Sequence, residues 1–588
     1  MNSTKKFAAR LAVLTIFFSF IPINLKIQTI AAAATSAAVA VAAREPARGR
    51  RAMVASQSKV ASEIGVDVLK RGGNAVDAAI AVALALAVAY PEAGNLGGGG
   101  FMLIRFKDGK STAIDYRERA PQAVTRDVFV RKNGESIKGE GSSTVGYRAS
   151  GVPGTPAGLD YAFKKYGSKQ IDWADLVEPS RKLAQNGFVL SNRLANLFKT
   201  YKETLDKYDD SRRIFLNGGK YFEEGDTLRQ PELAATLARM QKNGAREFYT
   251  GETARLIAKD MQAHNGLITL DDLKNYQPKE RVPLRGTYRG YEIITMPPPS
   301  SGGIVMLQTL NMLEKYDVRK MGWAASEKYH VLTESLRRAF ADRSEWMGDP
   351  DFTNVPAQAL IDKKYAAARG TTIDLSKASK SADIKAGQIG GKEPTETTHF
   401  TVVDADGNVV TNTYTINDLY GSRVTAKGTG VLLNDEMDDF AAQPGKPNMF
   451  GLIQGEKNAV QPQKRPLSSM TPTIVLRKNG SMWFALGARG GPRIITAVLQ
   501  TIINVIDHDM NIQAAIDAPR IHHQWFPDEL VFEPYGMSSD TRRALENLGH
   551  NFADKPSYIA SATGIMIDEK GVRLGAVDAR SDGEAIGY

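Results

Sequence analysis

The chain has 588 residues, 42% of them hydrophobic and 24% charged, which is ordinary for a globular protein and enough to bury a large core. It contains no cysteine, which excludes disulfides, thiolate metal sites, a cysteine nucleophile and lipid attachment at an amino-terminal cysteine. Of the formal net charge of +10, four charges lie in the leader (Lys5, Lys6, Arg10 and Lys26), and the remaining +6 shows no long basic run, which argues against nucleic-acid binding.

Lys5, Lys6 and Arg10 precede an apolar run, Leu11 to Leu25, that is too short for a comfortable membrane span. An Ala-rich tail with A-x-A sites follows, and Pro22 and Lys26 argue against an uncleaved anchor. The expectation is a signal peptide over residues 1–42, a periplasmic or secreted mature protein, and no membrane anchor once the signal is removed.

Arg51 to Arg71 predicts an amphipathic helix stopped by Gly72-Gly73, and Asn74 caps a second, very apolar helix that runs to Tyr90. Asp77 and a length below about 18 residues mark this second helix as a core element rather than a membrane span. Asn95 to Gly100 is a glycine-rich turn into a strand, Phe101–Phe106, which turns through Lys107–Lys110 into Ser111–Asp115. Gly109-Lys110-Ser111 resembles the end of a phosphate-binding loop, but Ile104 stands where its first glycine belongs and no helix follows. Close backbone approach is the better account of these glycines. Arg117, just beyond a strand end, reads as a surface residue or as a fork-shaped carboxylate receptor.

Helices are expected around Trp173–Asn186, Gln230–Asn243, Thr253–His264, Gly303–Tyr316 and Ala325–Met347. Leu284 to Met296 reads as two short strands turned at Arg289-Gly290, and Pro297–Gly303 as a rigid turn. Asp351 to Pro394 is weakly patterned and rich in Lys, Ala, Ser and Gly, as suits a mobile, cleavable connection.

The stretch from Glu396 to Asn417 organises the chain. Thr398 to Val403 is β-branched and aromatic, and Val409 to Thr415 resumes the strand pattern. A three-residue loop of Ala405, Asp406 and a left-handed Gly407 pairs Asp404 with Asn408. That register sets Thr397 opposite Thr415, with Cβ atoms about 5 Å apart. A hydroxyl needs an adjacent base to act as a nucleophile, and a threonine at a chain start carries one in its own α-amine. Thr397 qualifies only if the bond after Glu396 is cut; otherwise the stretch is an ordinary Thr-rich hairpin. His399 shares the strand face of Thr397 and is a candidate to orient it.

Gly430 to Leu433 is a short strand leading into the acidic run Asn434–Asp439, which reads as a loop, a loose cation site or an ammonium receptor. Gln443 to Asn458 has the Pro/Gly content of an exposed loop. Strands follow at Thr473–Leu476 and Ser481–Leu486, then Gly487–Gly491 leads into the helix Pro492–Ile506. Glycines between a strand and a helix start offer backbone N–H groups to a developing anion. A last strand and a polar end occupy Gly575–Tyr588. His522-His523 point apart, no H-E-x-x-H or G-x-S-x-G is present, and neither metal nor cofactor is expected.

The segments N-L-G-G-G-G-F-M (95–102), D-Y-R-E-R-A-P (115–121), M-P-P-P-S-S-G-G (296–303), T-T-H-F-T-V-V-D-A-D-G-N (397–408), L-L-N-D-E-M-D-D-F (432–440), K-R-P-L-S-S-M-T-P-T (464–473) and G-G-P-R-I-I (490–495) together resemble the γ-glutamyltranspeptidase family, in its order. The resemblance implies an α+β, four-layer αββα N-terminal-nucleophile fold. It also implies self-cleavage between Glu396 and Thr397 into a large subunit (43–396) and a small one (397–588), which form a heterodimer. Thr397 is then the nucleophile and Thr415 its partner. Gly490 and Gly491 form the oxyanion hole. Arg117, Ser468 and Ser469 hold the substrate carboxylate, Glu436 and Asp439 its ammonium, and Asn417 supports the pocket. The implied donors are glutathione and other γ-glutamyl compounds, and the acceptors are water, amino acids or peptides. The segment 443–458 is a lid in family members that keep it. Three departures stand out: Glu436 where many bacterial members have glutamine, Arg489 where proline precedes the Gly pair, and Phe450 where some lids have tyrosine. Related readings are a glutaryl-specific β-lactam acylase of the same superfamily and an uncut binding protein for γ-glutamyl peptides.

Overall fold

Two seven-stranded antiparallel sheets stack face to face in the computed structural model, which describes residues 44–387 and 398–588. In spatial order the first sheet holds Ala47–Gly49, Arg573–Val577, Ser561–Ile567, Met482–Arg489, Thr473–Leu476, Tyr291–Thr295 and Leu284–Tyr288. The second holds Glu584–Gly587, Met53–Ser56, Thr398–Val403, Val409–Thr415, Gly99–Arg105, Ser111–Tyr116 and Lys279–Arg281.

Strands buried on both faces are covered by a packed layer on each side, and alternation decides which layer each side chain serves. In Gly99–Arg105, Phe101 and Leu103 point between the sheets, whereas Met102 and Ile104 face the helices outside. Val403 and Val402 divide in the same way. The inter-sheet layer also takes Met53, Ile474, Ala485 and Ile565. Outside the second sheet lies the helix Ala75–Ala89, buried along its whole length. Its Asn74 cap accepts from the amides of Val76 and Asp77, and Asp77 accepts the Asn74 N–H in return. Outside the first sheet lie Gly302–Leu313, Ser326–Trp346 and Arg493–Ile506. The result is the αββα sandwich.

The central hairpin has the register read from its turn. Thr398 pairs with Tyr414 and Val403 with Val409, the Asp404 N–H donates to the Asn408 carbonyl at 3.1 Å, and Gly407 has φ +90°. The Asp404 carboxylate fixes the loop, accepting from the Asn408 amide at 2.9 Å and its side chain at 2.7 Å. Its Oδ2 also accepts the N–H of Ala75 at 3.0 Å, which ties the hairpin to the start of the apolar helix.

Four elements differ from expectation. Arg51–Arg71 is not one helix: Met53–Ser56 is a strand between Thr398–Val403 and Glu584–Gly587, and the helix is Lys59–Lys70. Pairing with segments hundreds of residues away overrides the local helical period. The strand expected to end at Leu486 runs on to Arg489, because Gly487 and Arg489 pair with Thr563 and Ser561. The carboxyl end is two strands in different sheets, Arg573–Val577 and Glu584–Gly587. The weakly patterned 351–387 carries two short helices, Ala357–Leu360 and Lys363–Gly370. Residues 1–42, with the signal-peptide reading, and residues 388–397 lie outside the described residues. Among the described residues no helix is long and apolar enough to cross a membrane.

Candidate active site

The two hairpin strands deliver the first part of the site. Glu396 and Thr397 lie outside the described residues; Thr415, one residue beyond the Thr398–Tyr414 pair, is fully buried. The Thr415 hydroxyl accepts the Asn417 N–H at 2.8 Å, and its carbonyl accepts from Asn95 Nδ2 at 2.8 Å. The glycines before Phe101 permit this approach: a Cβ on Gly98 would stand 1.8 Å from the Thr415 carbonyl oxygen. Asn417 has φ +71°, which turns the chain out of the strand, and its side chain donates to the Asp435 carbonyl at 3.0 Å. His399 sits between the sheets, its Nδ1 2.8 Å from Thr413 Oγ1 and its Nε2 3.0 Å from Thr401 Oγ1. Burial pushes its pKa down to about 3, so the imidazole is neutral and belongs to a threonine network.

The second part is a buried charge cluster. The Arg117 guanidinium, fully buried, forms ion pairs with Glu436 and Asp439, and Glu118 Oε2 lies 3.4 Å from its Nη1. Its Nε also donates to the Pro466 carbonyl at 3.1 Å and Nη2 to the Leu467 carbonyl at 3.3 Å, which places Arg117 against the start of the Ser468-Ser469 segment. Three carboxylates therefore share this one guanidinium. Burial lowers the arginine's pKa, but the carboxylates of Glu436, Asp439 and Glu118 outweigh it and hold the group above its ordinary value. Burial in turn raises Glu436 and Asp439 well above the carboxylate range, against the pull of Arg117, and pushes Glu118 up to about 7.

Ser468 and Ser469 are both fully buried. The Ser468 carbonyl accepts from the Ser301 N–H at 2.7 Å, so M-P-P-P-S-S-G-G docks alongside them. The Ser469 hydroxyl accepts from Arg343 Nη2 at 2.7 Å, and Arg343 Nε donates to Ser301 Oγ at 3.2 Å. Burial lowers the Arg343 pKa well below its ordinary value, with Asp439 opposing.

Gly490 and Gly491 form the third part. The strand Met482–Arg489 crosses the hairpin with Leu486 over Thr411, whose hydroxyl donates to the Leu486 carbonyl at 3.3 Å. Gly487 lies over His399, where a Cβ would stand 2.4 Å from the imidazole. Thr411 pairs with Thr401, so the strand advances toward the amino end of Thr398–Val403 as it nears Gly490. There Gly490 takes φ +132° and Gly491 φ +61°, left-handed conformations that favour glycine, before the helix Arg493–Ile506. Among the described residues neither glycine N–H donates a hydrogen bond. The 443–458 loop closes over this end: Gln524 Nε2 donates to the Phe450 carbonyl at 3.0 Å, and the Met449 N–H to Asp438 Oδ2 at 3.3 Å.

The model of the gamma-glutamyltranspeptidase family matches residues 61–588. The chain belongs to this family. It is 48% identical over 545 residues to a glutathione hydrolase proenzyme of Escherichia coli, covering 92% of this chain and 93% of that protein. It is 37% identical over 547 residues to an acylase ACY 1 proenzyme of a Pseudomonas species, covering 92% and 94%. Among solved structures, a cephalosporin acylase from Bacillus halodurans matches with TM-score 0.82 at 27% identity, over 93% of this chain and 97% of that one. A gamma-glutamyltranspeptidase chain from Helicobacter pylori matches with TM-score 0.55 at 45% identity, over 56% of this chain and 94% of that one.

Against the family pattern, Phe450 lacks a lid hydroxyl, yet the loop is latched through its main-chain carbonyl by Gln524, which sequence reasoning did not single out. Glu118 and Arg343 were also missed. Glu118 stood in view inside D-Y-R-E. Arg343 gave no signal, because a charged run on a helix reads as a solvated face until the fold buries it. Among the described residues no group of three or more His, Cys, Asp or Glu side chains is arranged to hold a metal.

Proposed function

We propose that the protein is an exported γ-glutamyltransferase and glutathione hydrolase, made as a precursor that cuts itself between Glu396 and Thr397 into large (43–396) and small (397–588) subunits that stay together as a heterodimer. The freed α-amine of Thr397 takes the proton of its own hydroxyl, and Oγ1 attacks the γ-amide carbon of glutathione or a related γ-glutamyl compound. The N–H groups of Gly490 and Gly491 hold the oxyanion. As the tetrahedral intermediate collapses the C–N bond breaks, the amine returns its proton to the leaving nitrogen, and a γ-glutamyl ester of Thr397 remains. Water, or the amine of an amino acid or peptide, then displaces the ester with the same proton transfers reversed. Thr415 positions the hydroxyl and Asn417 the turn behind it. Arg117 takes the α-carboxylate with Ser468 and Ser469, and Glu436 and Asp439 take the α-ammonium. No cofactor enters the scheme.

The observation that carries this reading is the buried meeting of Arg117 with Glu436 and Asp439, which offers both charges of an α-amino acid head at one point. The proenzyme names of the relatives agree with it. Acylases are also similar to this chain, but a glutaryl side chain has no ammonium for Glu436 and Asp439. Intact-mass analysis beside a Thr397→Ala variant is the test. Two fragments meeting at Glu396/Thr397 in the wild type only, with turnover of a γ-glutamyl anilide exceeding that of a glutaryl anilide, are expected. A folded but uncut wild-type chain would favour a peptide-binding protein, and faster glutaryl turnover an acylase.

A further inference from the structure

Arg343 has no task in the reading above, although it reaches into the site. It lies on the helix Ser326–Trp346, which is buried without a break from Lys328 to Ser344, and its guanidinium carbon stands 5.4 Å from the Phe340 ring centroid. Its Nη2 donates to Ser469 Oγ at 2.7 Å and its Nε to Ser301 Oγ at 3.2 Å. The Asp439 carboxylate, itself a partner of Arg117, is near enough to act on its charge. Other arginines of this helix tie the fold together: Arg337 and Arg338 both meet Glu334, and Arg338 Nη2 donates to the Thr372 carbonyl at 2.6 Å. Arg343 turns to the serine pair. A buried guanidinium is a costly way merely to brace a loop.

What it does there follows from counting donors. A serine hydroxyl has one proton and two acceptor lone pairs, whereas a guanidinium only donates. Once Arg343 fills a lone pair of Ser469 Oγ, the hydroxyl proton must point elsewhere, toward an acceptor. Ser301 shows the result on the same guanidinium: its Oγ accepts from Arg343 and gives its own proton to the Ser468 carbonyl at 2.8 Å. Ser468 Oγ is held in the same sense, accepting the Met470 N–H at 3.2 Å. Among the described residues no acceptor receives the proton of Ser468 Oγ or Ser469 Oγ. Two buried hydroxyls thus hold protons to give, next to the Pro466 and Leu467 carbonyls that fix Arg117.

We propose that Arg343 is a positioning residue for donor recognition: by occupying the acceptor side of Ser469 Oγ it commits that hydroxyl to donate, and so favours ligands that bring a carboxylate to it. This rests on the γ-glutamyl reading above and adds a residue to it. A carboxylate only accepts, so it matches a hydroxyl fixed as a donor and binds it through a charge-assisted bond. Without Arg343 the hydroxyl is free to rotate, and the ligand has to order it.

The test uses processed enzyme with a γ-glutamyl anilide as reporter. L-Glutamine and 4-aminobutyramide, which is glutamine without its α-carboxylate, compete with the anilide, and the ratio of their inhibition constants measures what that carboxylate is worth in each enzyme. Arg343→Met should cut the wild-type ratio about tenfold or more and raise KM for the anilide by a similar factor, with kcat little changed. Ser469→Ala should do the same, and adding Arg343→Met to it should cost little more, because the arginine acts through that hydroxyl. Arg343→Lys, again a donor only, should keep part of the ratio. A merely structural role would weaken both competitors alike and leave the ratio unchanged. An unchanged ratio in Arg343→Met overturns the inference, as does a loss equally large in the Ser469→Ala background. If Arg343→Met does not process, Arg343→Lys and Arg343→Gln carry the test: a carboxamide can accept the hydroxyl proton where an ammonium cannot, so equal ratios in these two overturn it. A processed wild type that is inert toward the anilide, or that binds 4-aminobutyramide as well as glutamine, overturns the γ-glutamyl reading beneath it.

Discussion

Glu118→Gln tests the electrostatics of the site most directly. Glu118 is fully buried, one oxygen 3.4 Å from Arg117 Nη1 and the other without a hydrogen-bond partner among the described residues. Burial pushes its pKa from 4.5 up to about 7, despite Arg117. Between those values the folded protein holds a proton that the unfolded chain has released. The stabilisation is therefore fully present below pH 4.5 and is lost as pH rises through 7. The gap between 4.5 and about 7 corresponds to about 3 kcal/mol. Glutamine keeps the shape and cannot ionise. In the Thr397→Ala background, where one intact chain makes unfolding unimolecular, Glu118→Gln should match its parent near pH 5 and exceed it near pH 8.5 by up to about 3 kcal/mol in urea denaturation. A variant that loses the same stability at both pH values would refute the reasoning. It would mean that Glu118 is ionised throughout as a required partner of Arg117.

Gly490→Ala places a Cβ 2.7 Å from the Ala560 Cα, so the turn must move and carry its N–H with it. A fall of about 10²–10³ in kcat with little change in KM is expected, measured on enzyme whose processed fraction has been counted by mass. Gln524→Ala removes the 3.0 Å latch on Phe450. Proteolysis within 443–458 should speed up and KM for the donor rise several-fold, with kcat nearly constant. The acid limb of the kcat/KM profile should fall near the α-amine's ordinary pKa, about 8, with activity rising as the amine loses its proton. His399, pushed down to about 3, cannot supply that limb. A limb near pH 6 in the profile, abolished in His399→Asn, would reverse that assignment.

The sequence carried the hairpin because its determinants are local. Gly407 and the Asp404/Asn408 pair fix the register, and Ala75–Ala89 was legible from Asn74 and an unbroken apolar run. Met53–Ser56 was not, because its partners lie near 400 and 585 in the chain. The same distinction runs through the site. Arg117, Glu436, Asp439 and the serine pair came from motif resemblance, whereas their meeting is a property of the fold. Glu118 and Arg343 became visible only with burial: nothing in the local pattern says which charges on a strand end or a helix are removed from water.

Removal from water also explains how one cluster can serve both ends of an α-amino acid. Arg117 with Glu118, Glu436 and Asp439 would carry a charge of −2 if all three acids were ionised, and burial answers by raising the pKa of each. The free site is thus balanced by protons and by the pairs that Arg117 makes with its own neighbours. On the proposed reading, an α-amino acid head adds an ammonium and a carboxylate together and leaves the sum unchanged. Arg117 exchanges the carboxylates of Glu436 and Asp439 for that of the ligand, and these two turn to the ammonium. A glutaryl chain would take the arginine and offer the acids nothing, so they would have to gain protons or remain buried, ionised and unpaired. Discrimination then resides in the charge that the site would be left holding, and Glu436, where many bacterial members have neutral glutamine, makes that charge larger in this chain.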